Sequence, residues 1–81
     1  MERDMAEAAQ AAEPQPGFYR HYKGNRYEVL GVARHSETGE RLVVYRPCYG
    51  ERALWVRPLV MFVEEVATPE GRVPRFRREA G

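Results

Sequence analysis

Three short segments of the chain alternate aromatic and basic side chains, and they carry its candidate chemistry. The segments are 19–23 (YRHYK), 45–47 (YRP) and 54–58 (LWVRP). An arginine guanidinium pairs with carboxylates and phosphates in a bidentate manner and stacks on aromatic rings, while an exposed ring offers a stacking surface to a base or a cation. The pattern therefore predicts a surface that stacks against, and pairs with, an anionic partner.

His21 could act as a general base, with Tyr22, Lys23 or Glu51 nearby. A histidine in a strand can instead pack its ring and form a hydrogen bond with a main-chain carbonyl. The sequence supplies no partner that would orient the ring as a catalytic histidine requires, so it favours the packing interpretation. We therefore assign no catalytic residue, and the sequence leaves open whether the protein is an enzyme.

The other reactive side chains form no recognisable catalytic or metal-binding motif. Ser36 lacks a nucleophile-elbow pattern, and Cys48 lacks an identifiable base. The spacing of His21 and His35 matches no metal-ligand pattern, and the glycines are spread through turns rather than gathered into a phosphate-binding loop. The sequence therefore predicts neither a metal nor a cofactor.

Length and charge predict one small folded domain with flexible ends. The chain has 81 residues, and residues 1–16 carry four acidic groups and one basic group, whereas residues 17–81 carry twelve basic and eight acidic groups. We predict a flexible acidic leader at 1–16 that is dispensable for folding, a folded domain at 17–77 and a frayed C-terminus at 78–81. The mildly basic domain lacks the dense basic clusters of dedicated DNA-binding domains.

The cysteine count and the hydropathy pattern bear on location. Cys48 is the single cysteine, which excludes an internal disulfide and fits a reducing compartment. The first residues lack the apolar stretch of a signal peptide, and no segment is long and apolar enough to span a membrane. We therefore expect a cytoplasmic protein with no membrane partner, and we take it to be a monomer.

The elements that must position these side chains are short strands. Alternating runs at spacings typical of an all-β domain predict strands at Phe18–Tyr22, Arg26–Arg34, Arg41–Arg46, Ala53–Arg57 and Val63–Ala67, a helical turn at Leu59–Phe62, and a last edge segment at Arg72–Arg77. We predict an all-β, SH3-like barrel of about five antiparallel strands with one short helical turn and a disordered leader. An oligonucleotide-binding type of barrel is the main alternative, but the chain leaves no room for its longer helix between Arg46 and Ala53.

The period of a strand assigns side chains to two faces. In the fourth strand, Leu54 and Val56 should face the core, while Trp55 and Arg57 face the opposite side. Gly31 lies within a predicted strand, where a missing side chain typically marks a bulge or bend. The rings expected in the core are Tyr27, Phe62 and Phe76.

A second set of rings is expected to form a surface cluster with two arginines. Its members are Tyr22, Tyr45, Tyr49, Trp55, Arg46 and Arg57. In the competing interpretation, Arg46 and Arg57 pair with carboxylates of Glu28, Glu51 or Glu64, and Trp55 only covers one end of the barrel. The sequence leaves both interpretations open.

The same residues resemble a bacterial family of small domains of unknown function, number sixteen fifty-three in that numbered series. The resemblance covers residues 17–76 and is carried by the segments 17–25, 27–33, 35–37, 43–46, 49–50 and 54–62. It implies a compact β-barrel whose recurring polar and aromatic residues fall here on His21, Tyr22, Lys23, Tyr45, Arg46, Tyr49, Trp55, Arg57 and Phe62. The chain departs from the family pattern at Pro47, Cys48 and Val60.

Together these observations predict a non-catalytic binding module with a shallow aromatic and arginine-lined groove. A protein or peptide partner is our first expectation, since such grooves suit extended or proline-containing segments. Single-stranded nucleic acid or a nucleotide is the first alternative, and a small enzyme or enzyme accessory that acts on an anionic metabolite through His21, Lys23 and Arg57 is the second. The expected ligand-binding residues are His21, Tyr22, Lys23, Tyr45, Arg46, Tyr49, Trp55 and Arg57.

Overall fold

The computed structural model describes residues 13–79 of the chain. The elements in this range are β1 (Gly17–His21), β2 (Arg26–Arg34), β3 (Arg41–Pro47), β4 (Trp55–Pro58), α1 (Leu59–Phe62), β5 (Glu65–Thr68), β6 (Gly71–Pro74) and β7 (Phe76–Arg78). Within these residues, no helix has the length and apolar character needed to cross a membrane. The helix α1 is a single turn that begins directly after Pro58, because proline ends β4 and is tolerated at the start of a helix.

The strands form two antiparallel sheets. Five strands pair in the order β4-β3-β2-β1-β7, and β5 and β6 form a separate hairpin. The register between β2 and β3 shifts between Val29 and Gly31, which confirms the bulge that the sequence predicted at Gly31. The all-β class, the antiparallel pairing and the single helical turn are confirmed.

The end of the chain differs from the prediction of one edge segment at Arg72–Arg77. The segment divides at Arg75, whose main-chain N–H donates to Glu64 O at 3.0 Å and whose carbonyl accepts from the N–H of Tyr22 at 2.9 Å. As a result β6 pairs with β5, whereas β7 crosses to β1. The described chain therefore has seven strands rather than about five, and no ladder joins β4 to β7, so the SH3-like arrangement is not a closed barrel.

The core is largely aromatic. Five of its eight buried residues are rings, and the full set is Tyr19, Tyr27, Val29, Val43, Tyr45, Leu59, Phe62 and Phe76. Phe62 and Phe76 stack in parallel with ring centroids 4.1 Å apart, and the edge of Tyr19 approaches Phe62 at 5.7 Å. The predicted core positions of Tyr27, Phe62 and Phe76 are confirmed, and large rings let so short a chain fill its interior.

The residues before Gly17 contact the folded domain. The Tyr19 hydroxyl donates to Gln15 O at 2.8 Å, Arg78 donates to Pro16 O at 3.0 Å, and the carboxylate of Glu13 lies 2.7 Å from the guanidinium of Arg41. Residues 13–16 are thus held against the sheet. The predicted flexibility of residues 1–12 concerns a segment outside the described residues.

Arg78 and Glu79, the first two residues of the C-terminal segment predicted to fray, contact the sheet. Arg78 belongs to β7, and the Glu79 N–H donates to Phe18 O at 2.9 Å. The carboxylate of Glu79 also pairs with Arg20 and Arg26, so main-chain and ionic contacts both hold this end. Residues 80–81 lie outside the described residues.

Phe62→Ala tests the aromatic core, with Val60→Ala as a matched control in the same helical turn. Phe62 is buried on the Phe76 ring, whereas Val60 is 72% exposed. Emptying a buried phenylalanine site should lower the free energy of unfolding by about 3–5 kcal/mol, while the exposed valine should change it by less than about 0.5 kcal/mol. Urea denaturation measures the free energy of unfolding of both variants. If both substitutions lowered it by the same small amount, the ring stack would not be what stabilises the fold.

Candidate functional site

The register of β4 against β3 decides which side chains reach the core side of the sheet. Trp55 lies directly opposite Tyr45, and Arg57 lies opposite Val43. Tyr45 and Val43 are buried, and residues directly opposite each other project from the same face. Trp55 and Arg57 therefore turn toward the core side.

This orientation corrects the prediction for the fourth strand. Leu54 and Val56, expected in the core, are 60% and 59% exposed. The sequence could not decide which side chains of the strand face the core, because Leu54, Trp55 and Val56 are all apolar. Either alternation of core-facing and outward-facing residues therefore gives a plausible pattern. Pairing of Trp55 with the buried Tyr45 selects the observed phase.

Trp55 and Tyr49 form the exposed rim of the aromatic core. The Trp55 ring lies 6.1 Å from Tyr27 and 6.0 Å from Tyr45, yet 44% of Trp55 remains exposed. Tyr49 approaches the edge of Tyr27 at 6.2 Å, and the two hydroxyls are 3.4 Å apart. We call this surface the aromatic face; it comprises exposed Tyr49 and Trp55, half-buried His21 and Arg57, and the buried floor of Tyr27, Tyr45 and Phe76.

Arg57 is held over this floor by two contacts. Its Nε donates to the Tyr45 hydroxyl at 3.3 Å, and its guanidinium carbon lies 5.7 Å from the centre of the Phe76 ring. Between residues 13 and 79, no carboxylate forms an ion pair with it. Its charge is therefore directed to the aromatic face, and the competing interpretation that a carboxylate neutralises it is wrong for this part of the chain.

Two of the expected surface residues lie elsewhere. Tyr45 is only 3% exposed and serves as part of the floor. Arg46 projects from the opposite side of the sheet, where its Nη2 lies 3.1 Å from Oε1 of the Glu28 carboxylate. The alternative of a carboxylate partner is thus correct for Arg46, because Glu28 is its direct cross-strand neighbour in β2.

Tyr22 and Lys23 lie in the turn between β1 and β2. Tyr22 packs on the His21 ring at 4.7 Å, and the ammonium group of Lys23 lies 5.9 Å from the Tyr22 ring. Among the described aromatic contacts, Tyr22 reaches the aromatic face only through His21. The structure therefore divides the expected site residues between two neighbouring surfaces.

His21 joins the two surfaces. Its ring meets the edge of Phe76 at 5.0 Å, and its Nδ1 accepts the N–H of Lys23 at 3.1 Å. The neutral ring consequently carries its proton on Nε2. Burial, followed by the positive charges of Arg57, Arg75 and Lys23, lowers the pKa of His21 below its usual range, so the imidazole is neutral at neutral pH.

Tyr27, in the floor of the aromatic face, adds no negative charge. Burial, reinforced by the hydrogen bond with Tyr49, raises the pKa of Tyr27 to about 12. Its phenol is thus protonated across the physiological range. Within the described range, no three His, Cys, Asp or Glu side chains are grouped as a metal would need.

A shallow pocket of about 290 Å³ opens beside the β1–β2 turn. It is lined by Arg20, His21, Tyr22, Gly24, Val73, Pro74 and Arg77. The enzyme hypothesis required a pocket shared by His21 and Arg57, and Arg57 does not line this one, although both side chains contact the Phe76 ring. Sequence reasoning missed Arg20 and Arg77; the only available signal was the place of Arg20 within the first aromatic and basic segment.

Comparison with known proteins shows which family the chain matches. The chain matches the family model described as "Protein of unknown function (DUF1653)" over residues 17–78. A crystal structure of a protein belonging to DUF1653 from Bordetella bronchiseptica is 43% identical, with a TM-score of 0.75, and the alignment covers 82% of this chain and 87% of that one. Among curated proteins, none matches the chain.

Trp55→Ala distinguishes an exposed anchor from a core ring. Because the ring rests on Tyr27 and Tyr45 but is 44% exposed, the substitution should cost about 1–2 kcal/mol, less than the roughly 3–5 kcal/mol of a fully buried ring. Trp55→Phe should retain most of the contact and cost less. Chemical denaturation followed by circular dichroism measures both; an alanine variant as stable as the wild type would show that the ring is not packed.

Titration of His21 tests the cationic surroundings of the aromatic face. Its folded pKa is lowered by burial and by Arg57, so the unfolded chain binds a proton more readily, and stability should fall as the pH drops below the ordinary value of about 6.5. Arg57→Gln should raise the pKa of His21, whereas Arg34→Gln, at the far end of β2, should leave it unchanged. Nuclear magnetic resonance follows the ring protons; no change in Arg57→Gln would contradict the electrostatic explanation.

Proposed function

We propose that this chain, which belongs to the DUF1653 family of proteins of unknown function, is a non-catalytic binding module whose aromatic face holds an extended protein or peptide segment. One observation carries the proposal: Trp55 and Tyr49 are exposed beside Arg57, at the edge strand of the sheet. Exposed aromatic and arginine side chains of this kind dominate the binding energy of protein interfaces.

The edge position of β4 supplies main-chain partners for a peptide. This strand ends the order β4-β3-β2-β1-β7, so no described strand pairs with its outer side. An extended peptide can add to such an edge through main-chain hydrogen bonds, while its alternate side chains contact the two faces of the sheet. On one side it would meet Trp55 and Arg57, and on the other Leu54 and Val56.

The floor beneath these side chains supports the proposal because it restrains them before a partner arrives. Trp55 rests on Tyr27 and Tyr45, and Arg57 is bonded to the Tyr45 hydroxyl. Side chains that are already ordered lose less conformational entropy on binding. A proline or aromatic side chain of the peptide would pack on Trp55, and an acidic one would pair with Arg57.

Single-stranded nucleic acid is the second candidate, favoured by the combination of exposed rings with Arg57, Lys23 and neutral His21. Bases stack on such rings while cations contact the phosphates. We rank it below a peptide because Arg46 projects from the opposite side of the sheet and pairs with Glu28, which leaves few cations beside the exposed rings for a phosphate backbone. The two candidates differ in salt dependence, since phosphate contacts release counterions and weaken steeply as salt rises.

Selection from a phage-displayed library of random peptides tests the peptide hypothesis. The domain should enrich a shared pattern with proline or aromatic residues, because these pack on Trp55 and Tyr49. Calorimetric titration of an enriched peptide should show binding weakened by about tenfold or more in Trp55→Ala. Phe18→Ala is the matched control, since Phe18 is an exposed ring on the opposite face of the sheet.

Two results would contradict the peptide hypothesis. One is a selection that enriches no pattern, and the other is an equal loss of affinity in Phe18→Ala and Trp55→Ala. Titration with mixed oligonucleotides at two salt concentrations, followed by the fluorescence of Trp55, addresses the second candidate. A saturable change at low salt that disappears at high salt would favour nucleic acid instead.

A further inference from the structure

Three arginines lie side by side across the outer face of the sheet. In the register of β1, Arg20 stands directly opposite Arg26 of β2 and directly opposite Arg77 of β7. Residues directly opposite each other project from the same face with Cβ atoms about 5 Å apart, and like charges in such pairs destabilise a sheet. We call this set the arginine row; it requires anions to offset its repulsion.

Among residues 13–79, one carboxylate offsets part of this charge. Glu79 Oε2 lies 2.7 Å from Arg20, and Glu79 Oε1 lies 2.8 Å from Arg26. Desolvation alone would raise the pKa of Glu79, but the hydrogen bonds from Arg26 and Arg20 outweigh it and lower the pKa. Glu79 is therefore ionised at neutral pH and bridges two members of the row.

Arg77 is left without such a partner. No carboxylate within residues 13–79 forms an ion pair with the Arg77 guanidinium, and Arg77 is exposed. Counting the described residues, three positive charges stand against one negative charge, so the row keeps a net charge of +2. The excess lies on the Arg77 side, because Glu79 is engaged with Arg20 and Arg26.

The uncompensated end of the row faces the pocket beside the β1–β2 turn. Arg20 and Arg77 both line it, and the residues that complete its lining include Tyr22, Val73 and Pro74. The pocket therefore combines two arginines with apolar residues. Its volume of about 290 Å³ lies just below the usual range for small-molecule sites, which begins at about 300 Å³, so it has room for a single ring with one charged substituent.

We propose that this pocket binds a small aromatic phosphate monoester. The phosphate group pairs with Arg77 and lies near Arg20, and the ring of the ligand packs between Tyr22 and the apolar surface of Val73 and Pro74. A phosphate monoester suits the site because its charge of about −1.5 to −2 at neutral pH matches the net charge of the row. The planar fork of Arg77 can hold two phosphate oxygens at once.

This site is separate from the peptide site of the aromatic face. Arg20 and Arg77 project from the outer face of the sheet, whereas Trp55 and Arg57 project from the core side. Only His21 belongs to both surfaces. The two proposals can therefore fail independently.

Titration of the full chain with phenyl phosphate tests the proposal. In nitrogen–proton correlation spectra, we expect saturable shifts concentrated at residues 20–24 and 73–77. Inorganic phosphate lacks the ring and phenol lacks the charge, so each should bind less tightly than phenyl phosphate, by about threefold or more. Raising the salt concentration should weaken binding, since the site is open to solvent.

Substitutions then assign the charge to its residue. Arg77→Gln should weaken phenyl phosphate binding by about fivefold or more, because it removes a charge-assisted bidentate contact. Arg77→Lys keeps the charge but lacks the planar guanidinium, so its affinity for phenyl phosphate should lie between those of Arg77→Gln and the wild type. Arg34→Gln removes an equal charge from the far end of β2 and should bind as the wild type does. Arg77 is exposed, so its variants should fold, which circular dichroism checks.

Several outcomes would overturn the proposal. Absence of a saturable shift at the pocket would exclude the site, and equal weakening in Arg34→Gln and Arg77→Gln would show that only diffuse charge attracts the ligand. Inorganic phosphate that binds as tightly as phenyl phosphate would contradict the role of the apolar walls. Shifts concentrated at Tyr49 and Trp55 would place the ligand on the aromatic face instead.

Discussion

The stack of Phe76 on Phe62 is the contact on which the rest of the structure depends. It joins the last strand to the helical turn, with ring centroids 4.1 Å apart. Tyr27, Tyr45 and His21 all pack their rings around Phe76. A chain this short has few aliphatic side chains available to fill a core, so a few mutually packed rings must hold together strands that are distant in sequence.

The same rings explain how a marginal core can also carry a recognition surface. Tyr27 and Tyr45 are buried by the sheet on one side and support the exposed Trp55 on the other. Arg57 is fixed by the Tyr45 hydroxyl and the Phe76 ring. The aromatic face is thus the edge of the core rather than an addition to it, and its side chains are restrained by the packing that stabilises the fold.

The two faces of the sheet differ in how the charges of their arginines are offset. On the core side, Arg57 lies over the Phe76 ring and Tyr27 stays protonated, so the surface combines aromatic rings with the positive charge of Arg57. On the outer side, Glu28 offsets Arg46 and Glu79 bridges Arg20 to Arg26. Arg77 stands at the end of this network, where the described carboxylates do not reach it. Strand β1 contributes side chains to both faces, because successive side chains of a strand point to opposite sides of the sheet.

The sequence by itself determined the features that depend on local pattern. It predicted β2 at Arg26–Arg34 and the helical turn at Leu59–Phe62 with their observed bounds, since glycine, proline and strand periodicity act over a few residues. It also placed Tyr27, Phe62 and Phe76 in the core. Only the tertiary structure decided the phase of β4, the burial of Tyr45 and the meeting of Arg20 with Arg77. These depend on the register between strands, and register is set by which side chains of distant segments bury together, a relation that no local pattern contains.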